Sequence, residues 1–182
     1  MHQHHTSATA LPAYRAGAAA LMIAAGALIA AYGFEYIGGY DPCPLCLMER
    51  YAYYAGIPLL FLALVLVATE RAGWAAVVFF LVALAFLANA GLGTYHAGAE
   101  WKFWPGPDTC GAVSRPLGGG SGSLLKELET IRVIRCDEAP WQFLGLSFAG
   151  WNVVASLLIV IATLQAAFSA SARNTQRRMS EI

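Results

Sequence analysis

Residues 40–69 read YDPCPLCLMERYAYYAGIPLLFLALVLVAT. The stretch opens on a Cys-x-x-Cys pair, Cys43 and Cys46, passes Glu49 and Arg50, and then carries no charged residue from Tyr51 to Thr69. Crossing a hydrocarbon core about 30 Å thick takes roughly 20 apolar residues in a helix. A two-cysteine motif therefore stands at the mouth of a membrane span.

Three other runs share that character. Ala16 to Phe34 is uncharged, Ala72 to Tyr95 has only Asn89 as a strongly polar interruption, and Leu144 to Ala172 is uncharged up to Arg173. The 182-residue chain is 58% hydrophobic and 12% charged, with mean hydropathy +0.56. Soluble domains carry about 25% charged residues. Spanning segments must satisfy their backbone groups internally, so the runs are read as helices. The expected architecture is an all-α integral membrane protein, one domain over 1–182. Its four transmembrane helices cover about 16–34, 47–69, 72–95 and 144–172, with outer loops over about 35–46 and 96–143. The first run exceeds the 7–15 apolar residues, roughly, of a signal peptide and is read as a span. The leading MHQHH is read as a flexible polar terminus. Net charge is +0, and no basic run interleaves with aromatics; both argue against a nucleic-acid partner.

Four spans put both termini on one side. Arg15, Arg71, Arg173, Arg177 and Arg178 flank helices there, so the positive-inside rule places the termini and the 69–74 connection in the cytoplasm. Cys43, Cys46, Cys110 and Cys136 then all lie on the outer face. Four cysteines on the oxidising side of a membrane suggest two disulfides. Of three connectivities, the spacing favours Cys43 with Cys46 and Cys110 with Cys136.

A Cys-x-x-Cys can serve zinc, haem or redox chemistry. A cysteine-only zinc site pairs two such knuckles; Cys110 and Cys136 lie too far apart to form the second, so no metal site is expected. Covalent haem needs a histidine after the second cysteine, where Leu47 stands. A purely structural disulfide gains little from so small a loop. Reversible thiol chemistry remains. Pro44 suits the first position of a helix, which places Cys43 at the N-cap and Cys46 in the first turn, where the helix dipole favours thiolates. Arg50 follows Cys46 by four residues and shares its face. It is a candidate to hydrogen-bond a carbonyl oxygen of an electron acceptor, the alternative being an interfacial anchor paired with Glu49. His96, at the outer end of the third span, is a candidate for proton delivery near such an acceptor.

The second pair sits in softer surroundings. Cys110 follows the turn-rich WPGP, and SRPLGGGSGS (114–123) is a flexible tract. Beyond it Leu124, Leu128, Ile131 and Ile134 fall at helical spacing, which predicts a short amphipathic helix at the outer surface.

An outer Cys-x-x-Cys opening the second of four helices and followed by Glu-Arg, with YHAGAEWKFWPGPDTC (95–110) and RCDEAPWQFLGLSFAGWN (135–152), resembles the bacterial disulfide bond formation protein DsbB family. The resemblance covers residues 15–170. It implies a protein dithiol:quinone oxidoreductase of the bacterial inner membrane, supporting disulfide formation in the periplasm. A periplasmic thioredoxin-like oxidase of the DsbA type would be the partner. Quinone would be the cofactor, ubiquinone expected ahead of menaquinone although no residue fixes that choice. It further implies that Cys110 is attacked by the partner's thiolate with Cys136 as its companion. Cys46 would be the thiolate beside the quinone, Arg50 would polarise that quinone, and His96 is a further cofactor-side candidate. The competing reading is a non-catalytic four-helix scaffold with structural loop disulfides.

Overall fold

The computed structural model describes residues 4–106 and 136–180. Four long helices carry the fold: α1 (His4–Tyr36), α2 (Pro44–Ala68), α3 (Ala72–Glu100) and α4 (Phe148–Ser180), with a short hairpin, β1 (Gln142–Phe143) and β2 (Leu146–Ser147), just before α4. All four helices are long and apolar enough to cross a bilayer. The protein is a multi-pass, all-α membrane protein.

The spans run further than composition alone indicates. Helix α1 begins at His4, so His4 and His5 of the terminus read as flexible are helical, and α3 continues to Glu100, which brings His96 inside the helix rather than into the outer loop. The fourth helix starts at Phe148 because residues 142–147 are taken by the hairpin. Its two-residue turn, Leu144–Gly145, has φ of +53° and +80°, as a type I′ connection requires. Cys110, the 114–123 tract and the amphipathic helix expected over 124–134 lie outside the described residues.

Neighbouring helices in the sequence pack on one another, and α1 closes the ring against α4. Lipid provides no hydrophobic drive for helices to associate, so close packing of small residues must. Ala13, Ala20 and Ala24 of α1, Ala63 of α2, Ala75 and Ala76 of α3, and Ala166, Ala167 and Ala170 of α4 form much of the buried core. Large side chains fill the gaps these leave. Phe79 fits over Gly17, where an added Cβ would come within 2.6 Å of its ring, and Phe86 fits over Gly56 at 2.5 Å. Met22, Ile29, Phe61, Phe80, Ile161 and Phe168 point outward, as lipid-facing positions should.

The two ends differ. At the end where α2 meets α3, Arg173 of α4 reaches Glu70 at 3.4 Å and the Val67 carbonyl at 3.5 Å. The opposite end holds every described cysteine and the remaining buried charges.

Candidate active site

The site is built from the N-terminus of α2 upward. Asp41 and Pro42 precede the helix without regular structure, and Cys43 takes the N-cap position in an extended conformation, with φ −72° and ψ 163°. Its Sγ accepts a hydrogen bond from the Cys46 backbone N–H at 3.2 Å, and Pro44 follows at N1, where no N–H is needed. The motif is thus a helix cap whose capping atom is a reactive sulfur. Cys43 and Cys46 are free thiols with their Sγ atoms 3.0 Å apart.

Helix α3 brings a second group to this cap. His96 is 2% exposed; its Nε2 lies 3.6 Å from Cys43 Sγ and its Nδ1 lies 2.8 Å from Glu49 Oε1. The buried Glu49 carboxylate holds the imidazole so that Nε2 faces the sulfur. Glu100, one turn beyond His96, has Oε1 3.9 Å from the same Nε2 and accepts a hydrogen bond from Ser147. Ser147 in turn caps α4 through the Gly150 N–H at 3.3 Å.

These surroundings act on the Cys43 thiol. The hydrogen bond from Cys46 is the largest influence, His96 adds a second hydrogen bond and an electrostatic attraction, and burial opposes both; the result brings the thiol down from 9.0 to about 5. These surroundings favour Cys43 as the thiolate of the reduced pair, whereas the family resemblance implies Cys46.

Arg50 lies on the other flank of α2. Its Nη1 pairs with Glu35 of α1 at 2.5 Å and its guanidinium sits 5.1 Å from the centroid of the Tyr32 ring. Glu49, one position before, is not its partner; that carboxylate points to His96. Between α1, α2 and the segment leading into α4 lies a cavity of about 1070 Å³. Cys43, Cys46, Glu49, Arg50, Tyr53 and His96 all line it, so the structure gathers Cys46, Arg50 and His96 around one space. A packed aromatic group, Phe34, Trp141 and Phe148, forms its apolar wall.

Cys136 belongs to the same end. It is disulfide-bonded, 1% exposed, and clusters with Cys43 and Leu45. Lys102 fixes the segment that carries it, donating to the Asp137 carbonyl at 2.6 Å and to its carboxylate at 2.9 Å. Below the site a polar network crosses three helices: Tyr53 donates to Asn152 Oδ1 at 2.7 Å, and Asn89 donates to the same oxygen at 3.2 Å and to Ser156 at 3.1 Å.

Sequence reasoning missed Glu35, Glu49 as a histidine partner, and the Glu100–Ser147 pair. One signal was available. Each is an acidic residue inside or at the end of an apolar helix, and carboxylates at such depth are retained where a partner or a function holds them.

With that geometry in view, the relatives can be compared. A family model described as disulfide bond formation protein DsbB matches residues 14–166. The chain is 32% identical over 150 residues to the "Disulfide bond formation protein B" of Marinobacter nauticus, covering 77% of this chain and 83% of that protein. The proteins of the same name from Aromatoleum aromaticum (30% over 146 residues, 76% and 82% covered) and Hahella chejuensis (32% over 133 residues, 72% and 79% covered) are comparably similar. No solved structure matches the chain. The chain belongs to the disulfide bond formation protein DsbB family.

Proposed function

We propose that the protein is an inner-membrane thiol oxidase that reoxidises a periplasmic thioredoxin-like dithiol partner of the DsbA type and passes the electrons to membrane quinone. The observation that carries this reading is the cavity at the cysteine end. Cys46 and Arg50 share its lining with the Cys43–His96 pair, and the disulfide-bonded Cys136 packs against Cys43. The termini would lie in the cytoplasm and the cysteines in the periplasm.

The donor set suits a quinone. Arg50 offers a fixed cationic hydrogen-bond donor for a ring oxygen, Cys46 a sulfur, and the aromatic wall an apolar face, on a scale typical of small-molecule sites. When bound, the quinone accepts two electrons and two protons. The protein's own steps are thiol exchanges. The partner's thiolate attacks Cys110, breaking its expected bond to Cys136 and forming a mixed disulfide; the partner's second thiolate resolves it and leaves as the oxidised protein. Cys136, released as a thiol, is positioned to attack Cys43, breaking the Cys43–Cys46 disulfide. Closure of the Cys110–Cys136 bond then leaves Cys43 and Cys46 as the reduced pair. Attack needs a thiolate and a good leaving thiol, and Cys43, acidified beside His96, leaves well. In the reduced pair His96 and Glu49 hold Cys43 as the thiolate, while Arg50, clamped by Glu35, would hydrogen-bond an acceptor bound in the cavity that Cys46 also lines. Oxidation returns one S–S bond and delivers two electrons.

The test is quinone reduction by purified, detergent-solubilised protein supplied with a reduced thioredoxin-like dithiol oxidase. Turnover in the parent, abolished in Cys46→Ser and Cys110→Ser, supports the two-pair relay. Absence of turnover with both ubiquinone and menaquinone analogues, both disulfides remaining intact, would sink it in favour of a braced scaffold.

A further inference from the structure

The spacing of the cysteines offers half a zinc signature, and the fold supplies what the spacing lacks. Cys43 Sγ, Cys46 Sγ and His96 Nε2 all lie within 4.8 Å of one another. Two thiolates and an imidazole form a donor set that soft and borderline divalent cations prefer.

The distances fit a tetrahedral ion. With Zn–S about 2.3 Å and Zn–N about 2.0–2.1 Å, a tetrahedral angle puts sulfur and nitrogen about 3.6 Å apart. Cys43 Sγ and His96 Nε2 are 3.6 Å apart. Two ligating sulfurs would stand about 3.7 Å apart on the same reasoning; the observed 3.0 Å between Cys43 and Cys46 requires a small outward turn of Cys46, which is the partly exposed member.

A second observation points the same way. Metal-ligating histidines almost always donate their other ring N–H to a carboxylate or carbonyl, which fixes the tautomer. His96 makes that contact: Nδ1 lies 2.8 Å from Glu49 Oε1 while Nε2 faces the sulfur. The fourth position faces the cavity, whose lining includes all three residues, so water can complete the sphere. Glu100 Oε1 lies 3.9 Å from Nε2.

We propose that the reduced protein binds one zinc-class divalent cation through Cys43, Cys46 and His96, with Glu49 orienting the imidazole, and that this ion locks the dithiol. Binding transfers no electrons; it displaces whatever protons the two sulfurs and Nε2 still carry. An S–S bond removes both thiolate ligands, so the oxidised protein binds none. The consequence for turnover, a reversible brake applied only to the reduced form, rests on the thiol-oxidase reading; the binding itself does not.

The test uses the full chain in detergent with Cys110→Ser and Cys136→Ser silencing the second pair, reduced and freed of reductant, and titrated with Co²⁺ and then Zn²⁺. One Co²⁺ per chain is expected, with the intense visible bands of a tetrahedral ion and a near-ultraviolet thiolate charge-transfer band, both erased by Zn²⁺. Adding Cys46→Ser should abolish the signal. Glu49→Gln, which leaves every ligand in place, should weaken binding about 10–100-fold, the usual loss for an outer-shell partner. His96→Gln should weaken it at least as much. Absence of a stoichiometric tetrahedral spectrum in the reduced protein would overturn the proposal. So would unchanged affinity in both His96→Gln and Glu49→Gln, because the ion would then be held by the dithiol alone. None of these measurements uses a quinone or a partner, so their failure is distinct from failure of the oxidase assay.

Discussion

Removing the Cys46 sulfur tests where the acidity of Cys43 comes from. In the reduced protein Cys43 titrates at about 5 rather than 9.0, chiefly because Cys46 hydrogen-bonds its sulfur and secondarily because of His96, with burial working against both. At 1.36 kcal/mol per pKa unit, that preference for thiolate is on the order of 5 kcal/mol. A hydrogen bond to a charged group contributes about 1.5–3 kcal/mol. Cys46→Ala should therefore raise the Cys43 titration to about 6–7, and His96→Gln should raise it comparably by removing the neighbour at 3.6 Å. With both gone, burial outweighs the remaining hydrogen bond from the Cys46 backbone N–H and the thiol should titrate above its ordinary value. The assay is the rate of iodoacetamide alkylation of Cys43 against pH. It would be run in chelator with Cys110→Ser and Cys136→Ser in the background, and the modified peptide identified by mass. A parent midpoint near 8.5 would refute the arrangement; a midpoint still near 5 in Cys46→Ala would show that the sulfur contact is not the cause. The same shift fixes a pH dependence. Between about 5 and 9 the folded reduced protein binds fewer protons than its unfolded chain, so the thiolate's stabilisation is complete above 9 and lost as pH falls to 5. At pH 7 about half remains, on the order of 3 kcal/mol. Because only the reduced state gains it, the disulfide should be more oxidising at pH 7, by tens of millivolts at about 30 mV per 1.4 kcal/mol.

Three further outcomes are expected. Arg50→Gln removes the cation held by Glu35 and stacked near Tyr32 and should raise the quinone KM at least about 10-fold, since a charged hydrogen bond contributes about 1.5–3 kcal/mol. Arg50→Lys should restore little, because an ammonium cannot reproduce the planar fork. Single-turnover reduction of Cys43–Cys46 by the partner should be unchanged in both variants, and slowed exchange would contradict the assigned role. Gly56→Ala places a Cβ 2.5 Å from the Phe86 ring, and overpacking of this kind costs about 1–3 kcal/mol. Gly26→Ala, with nothing within 4 Å of the new Cβ, is the control, and SDS-titrated unfolding of the two variants should separate them. Tyr53→Phe deprives Asn152 Oδ1 of its shortest donor and should cost about 0.6 kcal/mol, at most about 1.7, by the measured range for interhelical bonds in membranes. Its Cys43 alkylation profile should match the parent.

The parts legible in the sequence were those that depend on local chemistry. Apolar run length is set by bilayer thickness, so four spans could be counted, and the Asp41-Pro42 break with Pro44 behind it fixed Cys43 as the cap of α2. The Cys46–Arg50 spacing likewise put both on one cavity wall. Pairings across helices were not legible, because helix rotation about its own axis decides them and apolar runs of low amphipathicity do not encode rotation. Glu49 and Arg50, adjacent in the chain, illustrate this: about 100° of helical turn separates neighbours, so one reaches α3 and the other α1. The zinc-type donor set escaped for the same reason, since His96 lies 53 residues from Cys43 and only the packing of α3 on α2 joins them.

The buried charges at this end serve the fold as well as the chemistry. Ionisable groups inside membrane helices need partners, and here each partner lies on the next element around the bundle. Glu35–Arg50 ties α1 to α2, Glu49–His96 ties α2 to α3, and Glu100–Ser147 ties α3 to the start of α4. At the fourth contact, where α1 meets the entry to α4, the described contacts are aromatic: Phe34 against Phe148 and Trp141, with centroids 4.9 and 5.0 Å apart. These rings seal the apolar wall of the cavity, whereas the other three junctions each carry a charged or capped carboxylate.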